Sequence, residues 1–280
     1  MKLGRLVISS MGVVFALSLA VVGCEQSERD GEEASAVTTS ALQAQSQAGL
    51  TDGLVDVEGA LAPNAEDAAK AVLERPLRGI RPEGCAKKTR AGEVVTLEMT
   101  RCTGPFGKVE ITGSLVATFS KPSADVVEVA IVASQGTTAN GEPFSYAATG
   151  DVRFDGDRRF VTYRGSSSGT TKRGRDFATA TDVSIVADVT THCAKLSGAS
   201  KGSVGRYELD LTFEGFEGCR DVCPSAGTAR ARVDGPLVKN ASVEVVFDGS
   251  STAKVKVDRG EGRRTSQRDV ALDCDAAEAE

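Results

Sequence analysis

From about position 93 onward, apolar side chains fall on every second residue. Val109, Ile111, Gly113, Leu115, Ala117 and Phe119 alternate with mostly polar neighbours, and Val127, Val129, Ile131 and Ala133 repeat the pattern. Val183, Ile185, Ala187 and Val189 follow, then Leu209, Leu211 and Phe213. Val243, Val245 and Phe247 come next, then Ala253, Val255 and Val257. A period of two places these residues on one face of a strand, so each run predicts a half-buried antiparallel strand. Between the runs stand Asn140-Gly141, Asp155-Gly156, Asp234-Gly235 and Asp248-Gly249. Such dipeptides supply the positive φ angles that tight hairpins need. The pattern predicts a mostly β fold: an antiparallel meander of about ten strands. It forms a curved sheet, a sandwich or a barrel.

One segment departs from that period. In Asn64–Arg75, Ala65, Ala68, Ala69, Val72 and Leu73 share a face at helical spacing. Asn64 is a good N-cap, Glu66 and Asp67 suit the first turn, and Pro76 ends the run. This predicts one short amino-terminal helix packed on the sheet. Residues 25–49 are rich in Glu, Ser, Ala and Gln and carry no apolar face. Such a stretch buries too little surface to offset its ordering entropy and reads as a flexible tether.

At the amino terminus Lys2 and Arg5 precede an apolar run, Leu6–Val22, broken only by Ser9, Ser10, Gly12 and Ser18. A basic start, an apolar stretch and a small residue before a cut describe an export signal. An uncleaved membrane-spanning helix is the alternative, since the run is about long enough. Val21-Val22-Gly23-Cys24 resembles the lipobox of bacterial lipoproteins. The resemblance covers residues 1–24 alone. It implies cleavage before Cys24, lipid on that cysteine and a place in the bacterial cell envelope, on the periplasmic or surface face. Glu25, where some relatives carry Asp, implies the outer membrane by the same resemblance. One acyl chain anchors only marginally, whereas the two or three of this class anchor durably. The chain then divides into a signal peptide (1–23), a lipid-anchored tether (24–50) and a single disulfide-bonded β domain (51–280).

Composition narrows the picture. Residues are 40% hydrophobic, enough for a core, with no Trp and 5% aromatics. The Val, Ala, Thr and Ser that dominate suit sheet surfaces. A transmembrane barrel would want aromatic girdles, and three Tyr without Trp do not supply them. The formal charge is -6, and losing Lys2 and Arg5 makes the mature chain more acidic. Nucleic-acid binding needs a basic footprint and is disfavoured.

Beyond Cys24 stand Cys85, Cys102, Cys193, Cys219, Cys223 and Cys274. An even number in an oxidising compartment reads as three disulfides. Six cysteines allow 15 pairings. A hairpin would join Cys85 to Cys102. The other four pair as Cys193–Cys219 with Cys223–Cys274, or with partners exchanged. A zinc set of His192, Cys193, Cys219 and Cys223 is disfavoured, because adjacent residues on a strand point to opposite faces. The cysteine-rich patches near 85–102 and 193–223 hint at duplication.

Candidate chemistry is sparse. Gly165-Ser166-Ser167-Ser168-Gly169 fits the G-x-S-x-G pattern, and His192, the only histidine, follows it. That nucleophile motif needs a strand before it and a helix after it, whereas here another strand pattern follows. Asp151, Asp155 and Asp157 lack the alternation of a calcium loop and suit a hairpin turn at Asp155-Gly156. Arg158-Arg159, Lys172-Arg173-Gly174-Arg175 and Arg263-Arg264 read as solvated loop charge, with anionic headgroups or glycans as the lesser reading. The sequence points to a non-enzymatic envelope lipoprotein. Its partners are the membrane, through Cys24, and an envelope protein, lipid or glycan, with no cofactor. A serine hydrolase using Ser167 and His192 is the alternative.

Overall fold

The computed structural model describes residues 64–74, 80–103, 110–170, 174–188, 190–191, 193–219, 223–236, 239–260 and 265–271. The signal segment, Cys24, the tether, His192 and Cys274 lie outside these residues. Among these residues one helix, α1 (Ala65–Glu74), precedes fourteen strands. They are β1 (Ala86–Ala91), β2 (Val94–Thr103), β3 (Glu110–Ser123), β4 (Val126–Ala133), β5 (Thr138–Ala139), β6 (Glu142–Asp155) and β7 (Arg158–Thr170). Then come β8 (Asp176–Asp188), β9 (Cys193–Val204), β10 (Tyr207–Cys219), β11 (Ala226–Asp234), β12 (Ala241–Phe247), β13 (Thr252–Asp258) and β14 (Ser266–Ala271). The expected antiparallel meander is therefore present, with more strands than the pattern alone separated.

All strands share one sheet. Each pairs with its neighbour in chain order, except the two-residue β5, which sits beside the path between β3 and β6. The path runs from β1 to β14, and among the described residues those two edges do not pair. Of the three forms left open by the alternation, a single open sheet is the one adopted. Tight turns set its register. At Asn140-Gly141 both residues take positive φ, 58° and 89°, the geometry of a two-residue hairpin that Asn-Gly adopts cheaply. At the β6–β7 turn Asp155 stands opposite Arg158, leaving Gly156-Asp157 as the loop.

The register carries the apolar positions onto one face. Val95, Ala117, Ile131 and Ala148 stand opposite one another from β2 to β6. The row continues through Gly165, Thr181 and Ser200 into Leu211, Ala231, Val243 and Val257. Two cores form on this face. The first lies under α1, whose Ala68, Ala69 and Val72 are fully buried together with Val95, Leu97 and Leu115. The second gathers Leu211, Phe216, Ala229, Val245, Phe247, Ala253 and Val255. There Phe216 meets Phe247 edge-on at 5.2 Å.

Helix α1 is fixed at its start by Asn64, whose Oδ1 accepts the Asp67 N–H at 2.8 Å, three residues on. Lys88 on β1 donates to the Val72 carbonyl at 2.6 Å, and Arg90 pairs with Glu66 at 3.1 Å. These contacts hold the helix over the covered face of β1. Cys85–Cys102 closes the β1–β2 hairpin and Cys193–Cys219 closes β9–β10. A bridge over such a span contributes about 3 kcal/mol on the chain-entropy estimate. Cys223 is also disulfide-bonded.

Leu115 lies at the centre of the first core with no exposed surface. Leu115→Ala is expected to lower unfolding free energy by about 2–5 kcal/mol in urea titrations. Near the second core, the Asp248 carboxylate accepts hydrogen bonds from the Ser250 hydroxyl at 2.7 Å and the Lys254 ammonium at 3.1 Å. The Ser250 bond first, then Lys254, holds its pKa down at about 2. A lowered folded-state pKa gives stability that is present above the ordinary value near 4 and is lost as pH falls through about 2. Wild type is therefore expected to exceed Asp248→Asn in stability at pH 5. The two should converge only as the pH falls below about 2, when urea midpoints are compared.

Candidate functional site

The seam between the two cores is built by β7, β8 and β9, which pair over nearly their whole length. On the covered face their side chains form five successive rows. The first is Arg159, Ala187 and Ala194; the second is Val161, Ile185 and Leu196; the third is Tyr163, Val183 and Gly198. Gly165, Thr181 and Ser200 make the fourth, and Ser167, Thr179 and Gly202 the fifth. Ile185 packs against the first core and Leu196 against the second. Since they stand directly opposite each other, the cores meet at this pair. Ile185, Leu196 and Val183 are only half-buried. At a strand rise near 3.3 Å, the rows span roughly 26 Å from Arg159 to Ser167.

Hydroxyls line one end. The Tyr146 and Tyr163 hydroxyls lie 2.9 Å apart, Ser167 and Thr179 2.9 Å, and Thr181 and Ser200 3.0 Å. Each pair satisfies groups that burial would otherwise penalise. Gly165 makes the first pair possible. A side chain there would run into the Tyr163 ring, 2.8 Å from its Cζ.

A guanidinium occupies the other end. Arg159 is 7% exposed, which overturns the solvated reading of the Arg158-Arg159 pair for its second member. Its Nη1 donates to the carbonyls of Gly156 at 2.6 Å and Arg158 at 2.9 Å. Its plane lies over the Phe154 ring at 4.5 Å, a stacking that favours the cation. Its Nε is buried without a hydrogen-bond partner among the described residues. Desolvation lowers its pKa below the usual arginine value, and nearby Asp157 partly opposes this. Strand parity was the signal available in the sequence: Arg159 shares parity with Val161, so it points inward with it.

The other sequence candidates fall elsewhere. Ser167 sits mid-strand, 4% exposed, with its hydroxyl against Thr179. It has strand on both sides rather than the strand–turn–helix of a nucleophile elbow. Its proposed partner His192 lies outside the described residues. Cys193 and Cys219 bond to each other and are unavailable as zinc ligands. Asp151 accepts from the Thr162 hydroxyl, and Asp155 ends β6 while Asp157 stands in the two-residue β6–β7 turn. Among the described residues no group of acids, cysteines or histidine is placed to hold a metal. Lys172, Arg173, Arg263 and Arg264 lie outside the described residues.

The opposite face is polar. Arg230 bridges Glu244 at 2.6 Å and Glu214 at 3.4 Å. Two shallow concavities there, of about 260 and 390 Å³, are lined by such charged and threonine side chains. Comparison of the chain with protein families, curated proteins and solved structures finds no match, so function is read from the site's own chemistry.

The Ser167–Thr179 pair yields a test of a structural role. Ser167→Ala removes the hydrogen bond to Thr179 and is expected to cost about 0.5–1.5 kcal/mol in urea titrations. The double variant Ser167→Ala/Thr179→Val should lose less than the sum of the two single losses.

Proposed function

We propose that the chain is a non-enzymatic cell-envelope lipoprotein, a β scaffold that is held to the membrane by lipid on Cys24 and binds through the covered face of its sheet. The observation that carries this reading is the seam. Its half-buried aliphatic rows and the buried Arg159 are laid out as a binding surface, with hydroxyls already paired to one another. The Ser167 hydroxyl is engaged with Thr179 inside a strand, which supports binding over acyl transfer. The lipobox-like Val21-Val22-Gly23-Cys24 supports the anchor, and Glu25 the outer membrane. The charged side chains on the sheet's second face support a domain held in water on a tether.

The anchor is tested on the protein made in a bacterium that processes lipoproteins. The mature chain is expected to begin at Cys24, to carry acyl mass on that residue and to partition into detergent. Cys24→Ser should leave the chain unprocessed or released. An unmodified cysteine in the mass spectrum of the wild-type chain would sink the reading.

A further inference from the structure

Arg159 is the one charged side chain in the seam rows, and nearby Asp157 offsets the cost of burying its charge only in part. Among the described residues it makes no ion pair. Nη1 is used by two backbone carbonyls, and the Phe154 ring covers one face of the plane. What remains is the edge formed by Nε and Nη2. Of the two, Nε is buried with no acceptor among the described residues, which is costly. The two N–H groups of this edge match the two oxygens of a carboxylate. Ala187 on β8 and then Ala194 on β9, the smallest apolar side chains of the rows, follow it on the side away from Phe154. Beyond them the half-buried Ile185, Leu196 and Val183 lead away between the cores.

We propose that Arg159 holds the carboxylate of a long-chain fatty acid whose hydrocarbon tail lies across Ile185, Leu196 and Val183. This rests on the reading of the covered face as a binding surface and names its ligand class. A free inorganic anion would satisfy the arginine but leave the aliphatic rows uncovered. An uncharged chain would cover the rows but leave the arginine edge without a carboxylate. Only a molecule with both parts meets both demands. Three strands at about 4.8 Å spacing make a strip one chain wide, and the roughly 13 Å from the Arg159 row to the Val183 row takes the carboxylate-proximal part of an extended tail. Nε is shielded from water in this conformation, so Nη2 is the edge that the incoming carboxylate meets first.

The test uses the full processed chain in phosphatidylcholine vesicles, with a palmitate probe carrying a photoreactive diazirine on its tail. Adducts are expected within residues 176–204. Arg159→Gln should cut their yield by about tenfold or more, while Arg158→Gln should leave it unchanged. A diazirine alcohol of equal length should label weakly. Equal labelling by acid and alcohol overturns the proposal, as does full labelling of a well-folded Arg159→Gln chain. Should that variant fail to fold, competition on the wild-type chain decides. Excess palmitate should remove the label, and hexadecanol should not. Removal by phosphatidylglycerol but not by palmitate would assign the site to a phospholipid and end the fatty-acid proposal. Acyl mass on Cys24, read from the same digests, reports on the anchor independently.

Discussion

The structure depends on keeping one face of a long antiparallel ladder dry. Because side chains alternate faces, a slip of one residue in any hairpin would turn an entire strand's apolar set toward water. The turns therefore matter as much as the strands. Two-residue loops such as Gly156-Asp157 permit one register only, and the Asp155–Arg158 pairing that results aligns Val152 with Val161 and Ile185 beyond it. Helix α1 completes the exclusion of water over β1 to β3. Its alanines let it approach the sheet closely, and its one larger inward residue, Val72, is fully buried. On the wet face the same ladder sets opposite charges side by side, as in Arg230 with Glu244 and Arg164 with Asp182. Such exposed pairs add little energy each, but they disfavour the slipped register.

The seam is where this rule is relaxed. Rows that are aliphatic in both flanking cores become Gly165, Thr181 and Ser200, or Ser167, Thr179 and Gly202. Buried hydroxyls are tolerated because they bond in pairs across neighbouring strands. They gain nothing from water exclusion comparable to Leu97 or Val245. The centre of the sheet thus gives up hydrophobic stabilisation that its two ends retain. A scaffold that relaxes packing at one end of an interior seam, and buries a cation at the other end, has the features expected of a site shaped by binding rather than by folding alone.

The position of the seam follows from an internal repetition of design. Cys-Ala-Lys opens β1 at residues 85–87 and β9 at residues 193–195. Each cysteine is bonded to one near the end of the following strand. Both second strands carry an irregularity before that partner, at Met99–Cys102 and at Phe213–Phe216. Each bulge contains a residue of positive φ, Arg101 or Gly215, which increases local twist. Each closed hairpin starts a run of strands, and each run gathers its own core. The site lies where the last strands of the first run meet the first of the second.

The sequence by itself determined which residues face the core. Val95, Leu115, Ile131, Val245 and Val255 follow from a period of two, and Asn64 and the Asn140-Gly141 turn follow from local hydrogen bonding and φ preference. The Cys85–Cys102 bridge was legible because its hairpin is local. The inward direction of Arg159 was present as strand parity but hidden by its exposed neighbour Arg158, since charge in a turn is ordinarily solvated. Only the tertiary structure decided that the strands form one open sheet, that Cys193 pairs with Cys219, and that Ser167 is spent on Thr179. It alone decided that Ile185 and Leu196, contributed by separate runs, meet in the seam. The physical reason is range. Alternation, capping and turn chemistry act over a few residues, whereas strand partnership and the burial of a cation are fixed by contacts between distant parts of the chain.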